Sequence, residues 1–230
     1  MKSCAVAVFV KTPGLSPVKT RLSDAIGRES AEEFHLASAR AIESVIAEAC
    51  RSFAGGAGSL KPYWAVAEEE ALTHPAWSGF ETVLQGSGDL GMRLDHVYRE
   101  LRARHDAVIF LGADSPQLSP MILIEAAGKL LLGGDFVLGR AMDGGYYLFG
   151  GTRELSTVLW TSVPYSTSMT ARIFAAKLEE LGVVEELPEL LDVDTIEELK
   201  LLSAELASRD DLLPAQSKLG RLLMKLVVIK

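Results

Sequence analysis

Several things are scarce in this 230-residue sequence, and each scarcity closes off a class of protein. There are only two cysteines, Cys4 in an apolar run and Cys50 at the end of a helical pattern, and neither has a metal-ligand spacing or a histidine partner. A disulfide framework is excluded, and both thiols read as inert groups of a reducing compartment. No apolar run approaches the roughly 20 residues that span a bilayer. The run from Cys4 to Val10 ends at Lys11 with no small-residue cleavage site, so it reads as a first strand and not a secretion signal. The expectation is a cytoplasmic protein with no transmembrane segment. His35, His74, His96 and His105 share no spacing that suggests a ligand set, which disfavours zinc.

Basic charge is also short. Lys and Arg number 23 against 31 Asp and Glu, a net −8, so nucleic acid is not an expected partner. The deficit is uneven, because residues 1–28 carry Lys2, Lys11, Lys19, Arg21 and Arg28 against Asp24 alone. A small anion could therefore be held by the N-terminal segment of an acidic protein. With 48% hydrophobic and 23% charged residues the chain is globular. At this length it can bury roughly 70% of its unfolded surface without staples. No linker, repeat or low-complexity stretch interrupts it, so a single domain over 1–230 is expected.

What the chain does have is an alternation of short β-rich runs with longer helical patterns, which predicts βαβ units around a mainly parallel sheet. Strands are expected at 3–10, 62–68, 81–85 and 107–113, the last apolar on both faces as in the middle of a parallel sheet. A loop runs to about residue 23, and 54–59 is a turn. The helix over 29–50 places Phe34, Ile42, Val45, Ile46 and Ala49 on one face. A helix from Asp89 places Leu90, Leu94, Val97 and Leu101 against the sheet. Another helix begins after Ser119-Pro120. The runs 135–141 and 145–150 flank Asp143-Gly144 as an antiparallel hairpin, which makes the sheet mixed. Further helices are expected at 167–181, 195–207 and 216–229, with a short strand near 183–186. In the last helix Lys218, Arg221 and Lys225 oppose Leu219, Leu222, Leu223, Leu226 and Ile229. Packing on a core or a symmetry mate is the expectation there, as in a homodimer, with a membrane surface as the alternative. Trp64, Trp77 and Trp160 read as core or rim residues.

Five segments carry candidate chemistry. KTPGLSPVKTRL (11–22) leaves the carboxyl end of the first strand, where open α/β sheets bind ligands, and gathers Lys11, Lys19 and Arg21 with Thr12 and Gly14. That set suits a diphosphate. It is not a P-loop, since the second glycine is missing and Pro17 removes a donor, and no GxGxxG occurs. In LGADSP (111–116), Asp114 can hold Mg²⁺ or Mn²⁺, or can close an Asx-turn. In LDVDTIEEL (191–199), Asp192 and Asp194 precede a TxxE capping box formed by Thr195 and Glu198, and capping alone accounts for the acids as well. AMDGGYYLFG (141–150) offers Asp143, either as a hairpin residue or as an acid facing a ligand. QGSGDLG (85–91) precedes a helix, where an anion could bind or Asp89 could simply cap.

In this order the five segments resemble one family: bacterial transferases described as selenodomain-associated and CofC-like, relatives of the nucleotide-diphospho-sugar transferases. The resemblance implies a GT-A-like, three-layer α/β/α sandwich. It also implies that the first loop, including Lys11, Thr12, Pro13, Gly14, Lys19 and Arg21, holds a nucleotide or nucleotide-sugar. Asp114 and Asp194 become the metal acids for Mg²⁺ or Mn²⁺. Asp143 and Tyr146 face the acceptor or donor sugar, with Gly144 and Gly145 giving access and Asp143 as the candidate base; Asp89 joins the substrate set. The reaction so implied is glycosyl transfer from a nucleotide-diphospho-sugar. The alternatives are nucleotidyl transfer onto a phosphorylated acceptor, and a non-catalytic sugar-nucleotide sensor. KTPG stands where nucleotidyltransferases usually open with a GGxGxR-type loop, and Ala113-Asp114-Ser115 stands where glycosyltransferases usually carry an acid-x-acid motif, so the resemblance leaves the reaction open.

Overall fold

The computed structural model describes residues 1–53 and 58–228; most of the turn expected at 54–59, and Ile229, lie outside them. In chain order the elements are β1 (Ser3–Val10), α1 (Thr20–Ile26), α2 (Arg28–Phe53), β2 (Ser59–Val66), β3 (Glu81–Leu84), α3 (Leu90–Arg102), β4 (Ala107–Gly112), α4 (Pro120–Leu131), β5 (Phe136–Ala141), β6 (Tyr146–Gly151), α5 (Thr157–Thr161), α6 (Thr170–Glu179), β7 (Val184–Leu190), α7 (Ile196–Ala207) and α8 (Pro214–Val228). Two short 3₁₀ turns, Glu69–Thr73 and Pro75–Trp77, lie between β2 and β3.

The strands form one sheet in the order β3-β2-β1-β4-β6-β5-β7. Only β6 runs antiparallel to its neighbours, as the hairpin at Asp143-Gly144 requires. β1 sends its connection outward to β2, while β4 lies on its other side, so the strand order reverses between β1 and β4. A crevice at the carboxyl ends of these two strands is the natural ligand position of such a sheet.

Side-chain alternation divides the core. Val6, Val8 and Val10 of β1 face α2 and α4 together with Ile109 and Leu111, whereas Ala5 and Ala7 face α3, α5 and α6 with Val108 and Phe110. Trp64 and Trp77 lie in the first cluster and Trp160 in the second, all buried as expected. A third apolar cluster lies beyond α2, where Phe34 meets Leu199, Leu202, Leu219 and Leu223 of α7 and α8. The sandwich thus gains an outer helical layer on one side. Phe34 does not share a role with Ile42, Val45 and Ile46, because α2 is long enough to be buried on two sides. The basic side chains of α8 stay on its outer side, with Arg221 and Lys225 exposed. Among the described residues no helix is long and apolar enough to cross a membrane.

Several boundaries differ from expectation for identifiable reasons. β2 starts at Ser59 despite Pro62, since β3 pairs with β2 only from Tyr63 onward and Pro62 needs no donor on that side. β7 continues through Pro188 because it is an edge strand paired with β5 alone. α1 begins at Thr20, inside the expected loop, with Lys19 in the left-handed region at φ 46°. Leu90 does not pack on the sheet; it is 43% exposed at the head of α3.

Candidate active site

The first loop is anchored from below before it offers anything to a ligand. Thr12 is fully buried, its hydroxyl accepts the Trp77 indole N–H at 2.9 Å, and its backbone N–H donates to the Glu68 carboxylate. Buried His35 bonds the Lys11 carbonyl through Nε2 at 2.9 Å. Burial holds the imidazole below its usual pKa, so near neutrality it is the uncharged donor in that bond. Gly14 takes φ +88°, open to a residue without Cβ, as Leu15 and Ser16 fold back onto the Thr12 carbonyl.

Lys19 then turns inward. Its side chain is 3% exposed, and its ammonium lies 2.9 Å from both Asp114 and Asp194 while donating to the Val193 carbonyl. Burial alone would lower its pKa, but Asp114, Asp194 and Asp192 outweigh burial and hold it well above the ordinary lysine value. Lys11 and Arg21 remain at the rim, with Arg21 74% exposed and 3.9 Å from Asp194.

The acids are aimed by a locked pair of loops. Asp114 follows β4, and its carbonyl accepts the N–H of Val193. Buried Gln117 donates to the Leu191 carbonyl, and buried Gln216 to the carbonyls of Pro116 and Leu118. Thr195 and Glu198 form a complete capping box on α7, in which Glu198 also accepts the N–H of Asp194 at 2.7 Å. The cap is therefore real, and it leaves the Asp194 side chain directed at Lys19. Asp114 likewise meets Lys19 instead of closing an Asx-turn.

Asp114, Asp192 and Asp194 can each offer an oxygen within 4.8 Å of the others. One ammonium against three carboxylates leaves the group net negative when all are ionised. Burial, then repulsion from Asp114, pushes the Asp192 carboxyl up to about 7. Hard oxygen donors in this number fit a divalent ion such as Mg²⁺ or Mn²⁺.

Two cavities meet over this edge of the sheet, sharing Phe9 and Leu90. The first, about 410 Å³, takes in Lys11, Lys19, Arg21, His35, Asp114 and Asp194. The second, about 230 Å³, takes in Asp143, Gly145, Tyr146 and Tyr165. Eight of the thirteen residues singled out by the sequence, Lys11, Lys19, Arg21, Asp114, Asp194, Asp143, Gly145 and Tyr146, thus line one continuous cleft. The rest serve otherwise. Thr12 is the loop's anchor, and Pro13 and Gly14 lie outside both cavities. Asp89 caps α3, accepting the Met92 N–H at 2.9 Å, and also lines neither. Gly144, at φ +90°, packs so closely that a Cβ would come within 2.2 Å of the Ser168 carbonyl oxygen. Its role is to seat the hairpin on the loop before α6. Asp192, His35, Gln85 and Tyr165 belong to the site and were not singled out as site residues; only Asp192 carried a signal, since two residues apart in extended chain it shares a side with Asp194.

The architecture has solved counterparts. A protein from Desulfovibrio desulfuricans G20, provisionally described as a nucleotide-diphospho-sugar transferase, superposes with a TM-score of 0.82 at 23% identity, over 100% of this chain and 98% of its own. The 4-diphosphocytidyl-2C-methyl-D-erythritol synthase of Anaerococcus prevotii gives a TM-score of 0.55 at 10% identity over 90% and 96%. A CMP:2-keto-3-deoxy-manno-octonic acid synthetase complexed with CTP gives 0.53 at 12% over 90% and 99%. The fold is that of nucleotide-diphospho-sugar transferases and nucleotidyltransferases. None of the curated proteins matches the sequence. Residues 59–167, the stretch from β2 past α5, match the model of a family described as an uncharacterized protein conserved in bacteria (DUF2064).

Proposed function

We propose that the protein is a metal-dependent transferase acting on a nucleotide-activated donor, and that the reaction is glycosyl transfer from a nucleotide-diphospho-sugar. The observation that carries this is the convergence of the first loop with Asp114 and Asp194, and with Asp192 clustered beside them, on a cavity at the reversal of strand order. Asp114 and Asp194, joined by Asp192, would hold Mg²⁺ or Mn²⁺, which when bound supplies positive charge against a diphosphate. Lys11 and Arg21 at the rim bind and orient the diphosphate and stabilise the charge it gains on leaving. Lys19 is a positioning residue, since its ammonium is engaged by the acids and the Val193 carbonyl.

In the transfer, the acceptor oxygen bonds to the anomeric carbon as that carbon's bond to the diphosphate oxygen breaks, the bonding pair leaving with the diphosphate. The acceptor's proton passes to the Asp143 carboxylate. Asp143 lies in the second cavity, near enough to Asp192 to raise its pKa, so donor and acceptor sites adjoin.

The test is a thermal-shift panel of nucleoside diphosphates, nucleoside triphosphates and diphospho-sugars, with and without Mg²⁺ or Mn²⁺, on the wild type and on Asp114→Asn. Stabilisation grows with ligand concentration over Kd, so a weak cognate donor still registers. The expected result is a metal-dependent shift with a diphospho-sugar that Asp114→Asn abolishes. Metal-dependent shifts that survive the substitution refute the role of Asp114. Shifts with triphosphates alone favour nucleotidyl transfer, and ligand binding with no turnover under any acceptor favours a sensor.

A further inference from the structure

The two cavities differ in charge chemistry as well as in position. Every basic side chain of the cleft lines the first, whereas the residues lining the second include no lysine, arginine or histidine. The second cavity is walled by Phe9, Leu90, Phe110, Tyr146 and Tyr165, and its single ionic group is Asp143. Its threonine hydroxyls are already engaged, Thr170 donating to carbonyls of its own loop at 2.8 Å and Thr167 to the Pro164 carbonyl at 3.1 Å, while the buried Tyr165 hydroxyl makes no hydrogen bond among the described residues. Asp143 accepts the Gly145 N–H through Oδ1, leaving Oδ2 for a ligand donor.

We infer that the second cavity takes a hydroxyl-bearing acceptor with a small apolar body of about one ring, and rejects a phosphorylated one. An apolar ring replaces water against the aromatic walls, and its hydroxyl donates to Asp143 Oδ2. A phosphate in the same place meets the Asp143 carboxylate and finds no cation among the lining residues, so desolvation and repulsion both oppose it. The volume of about 230 Å³ limits the body to a small one. The word acceptor rests on the transferase reading of the cleft, but the recognition chemistry is independent of the donor.

Benzyl alcohol and benzyl phosphate carry the same ring and differ in charge, so their binding to the nucleotide-free protein, followed by protein-observed NMR, isolates the claim. Benzyl alcohol should saturate with a Kd at least about tenfold below that of benzyl phosphate, shifting resonances of Tyr146 and Tyr165. Leu90 is 43% exposed, so Leu90→Lys should fold normally. It should narrow or invert the preference by supplying the missing cation. Equal or tighter binding of benzyl phosphate to the wild type overturns the inference, as does an absence of saturable benzyl alcohol binding up to its solubility limit. Failure here alongside a metal-dependent diphospho-sugar shift overturns only the acceptor class. Success here without any nucleotide shift overturns only the donor reading.

Discussion

Replacing Lys19 by methionine keeps the length and apolar stem of the side chain and removes only the charge at its tip. In the structure that charge is 3% exposed and touches Asp114, Asp194 and the Val193 carbonyl, so the variant leaves carboxylates facing each other with nothing between them. Breaking a wholly buried pair typically costs about 3–5 kcal/mol. Asp114 and Asp194 are 34% and 42% exposed, so water screens part of the repulsion and a loss of about 2–3 kcal/mol is the better expectation. For a domain of this size that corresponds to a fall in Tm of about 4–12 °C. Thermal unfolding by circular dichroism in metal-free buffer measures it. Adding Mn²⁺ should then raise the Tm of Lys19→Met by more than that of the wild type, because the ion enters a cluster whose internal cation is gone. A variant that unfolds within about 1 °C of the wild type would show that the threefold contact does not form in solution. An equal Mn²⁺ effect on both proteins would show that the lysine and the ion do not share the acids.

Gly144→Ala places a Cβ within 2.2 Å of the Ser168 carbonyl oxygen at φ +90°, so a loss of about 2–3 kcal/mol is expected by urea unfolding. Thr195→Ala removes the capping box and should cost about 1 kcal/mol in the same assay. His35 has a folded pKa below its unfolded value of about 6.5, so the unfolded chain takes up a proton first as pH falls. Its contribution is therefore complete above about pH 6.5 and is lost as pH falls toward the folded pKa. His35→Gln keeps a donor for the Lys11 carbonyl, and should lose less stability than the wild type between about pH 7.5 and about pH 5; identical pH profiles would refute the assignment.

Most of the sheet was legible because each strand's signal is local. The β-branched run ending in Asp114 announces a central strand, and Asp143-Gly144 between two apolar runs announces the one antiparallel hairpin. The errors fall where pairing decides what composition cannot. Pro62 and Pro188 look like strand breakers, and are harmless only because no neighbour asks them for a donor. Thr20–Ile26 looks like loop because seven residues give too little periodicity, and it is fixed as a helix by packing Leu22 against α2 and α7. Leu90 continues an apolar spacing yet stays outside, since the head of α3 projects past the sheet into the cleft.

The site shows a sharper limit. Lys11, Lys19 and Arg21 are equivalent in a sequence, three cations in one loop, and any of them could meet a phosphate. A left-handed residue at Lys19 and the acids after β4 and β7 separate them, sending Lys19 into the core of the site and leaving the other two at its mouth. A buried, fully engaged ammonium cannot also follow a leaving group, so under the proposed transfer the charge developing on a diphosphate would be met by Lys11, Arg21 and a cation held by the acids. The same division leaves the aromatic cavity without any lysine, arginine or histidine, so what distinguishes the two cavities, donor from acceptor in the proposed reaction, is where the positive charges are turned, which no residue count along the loop reveals.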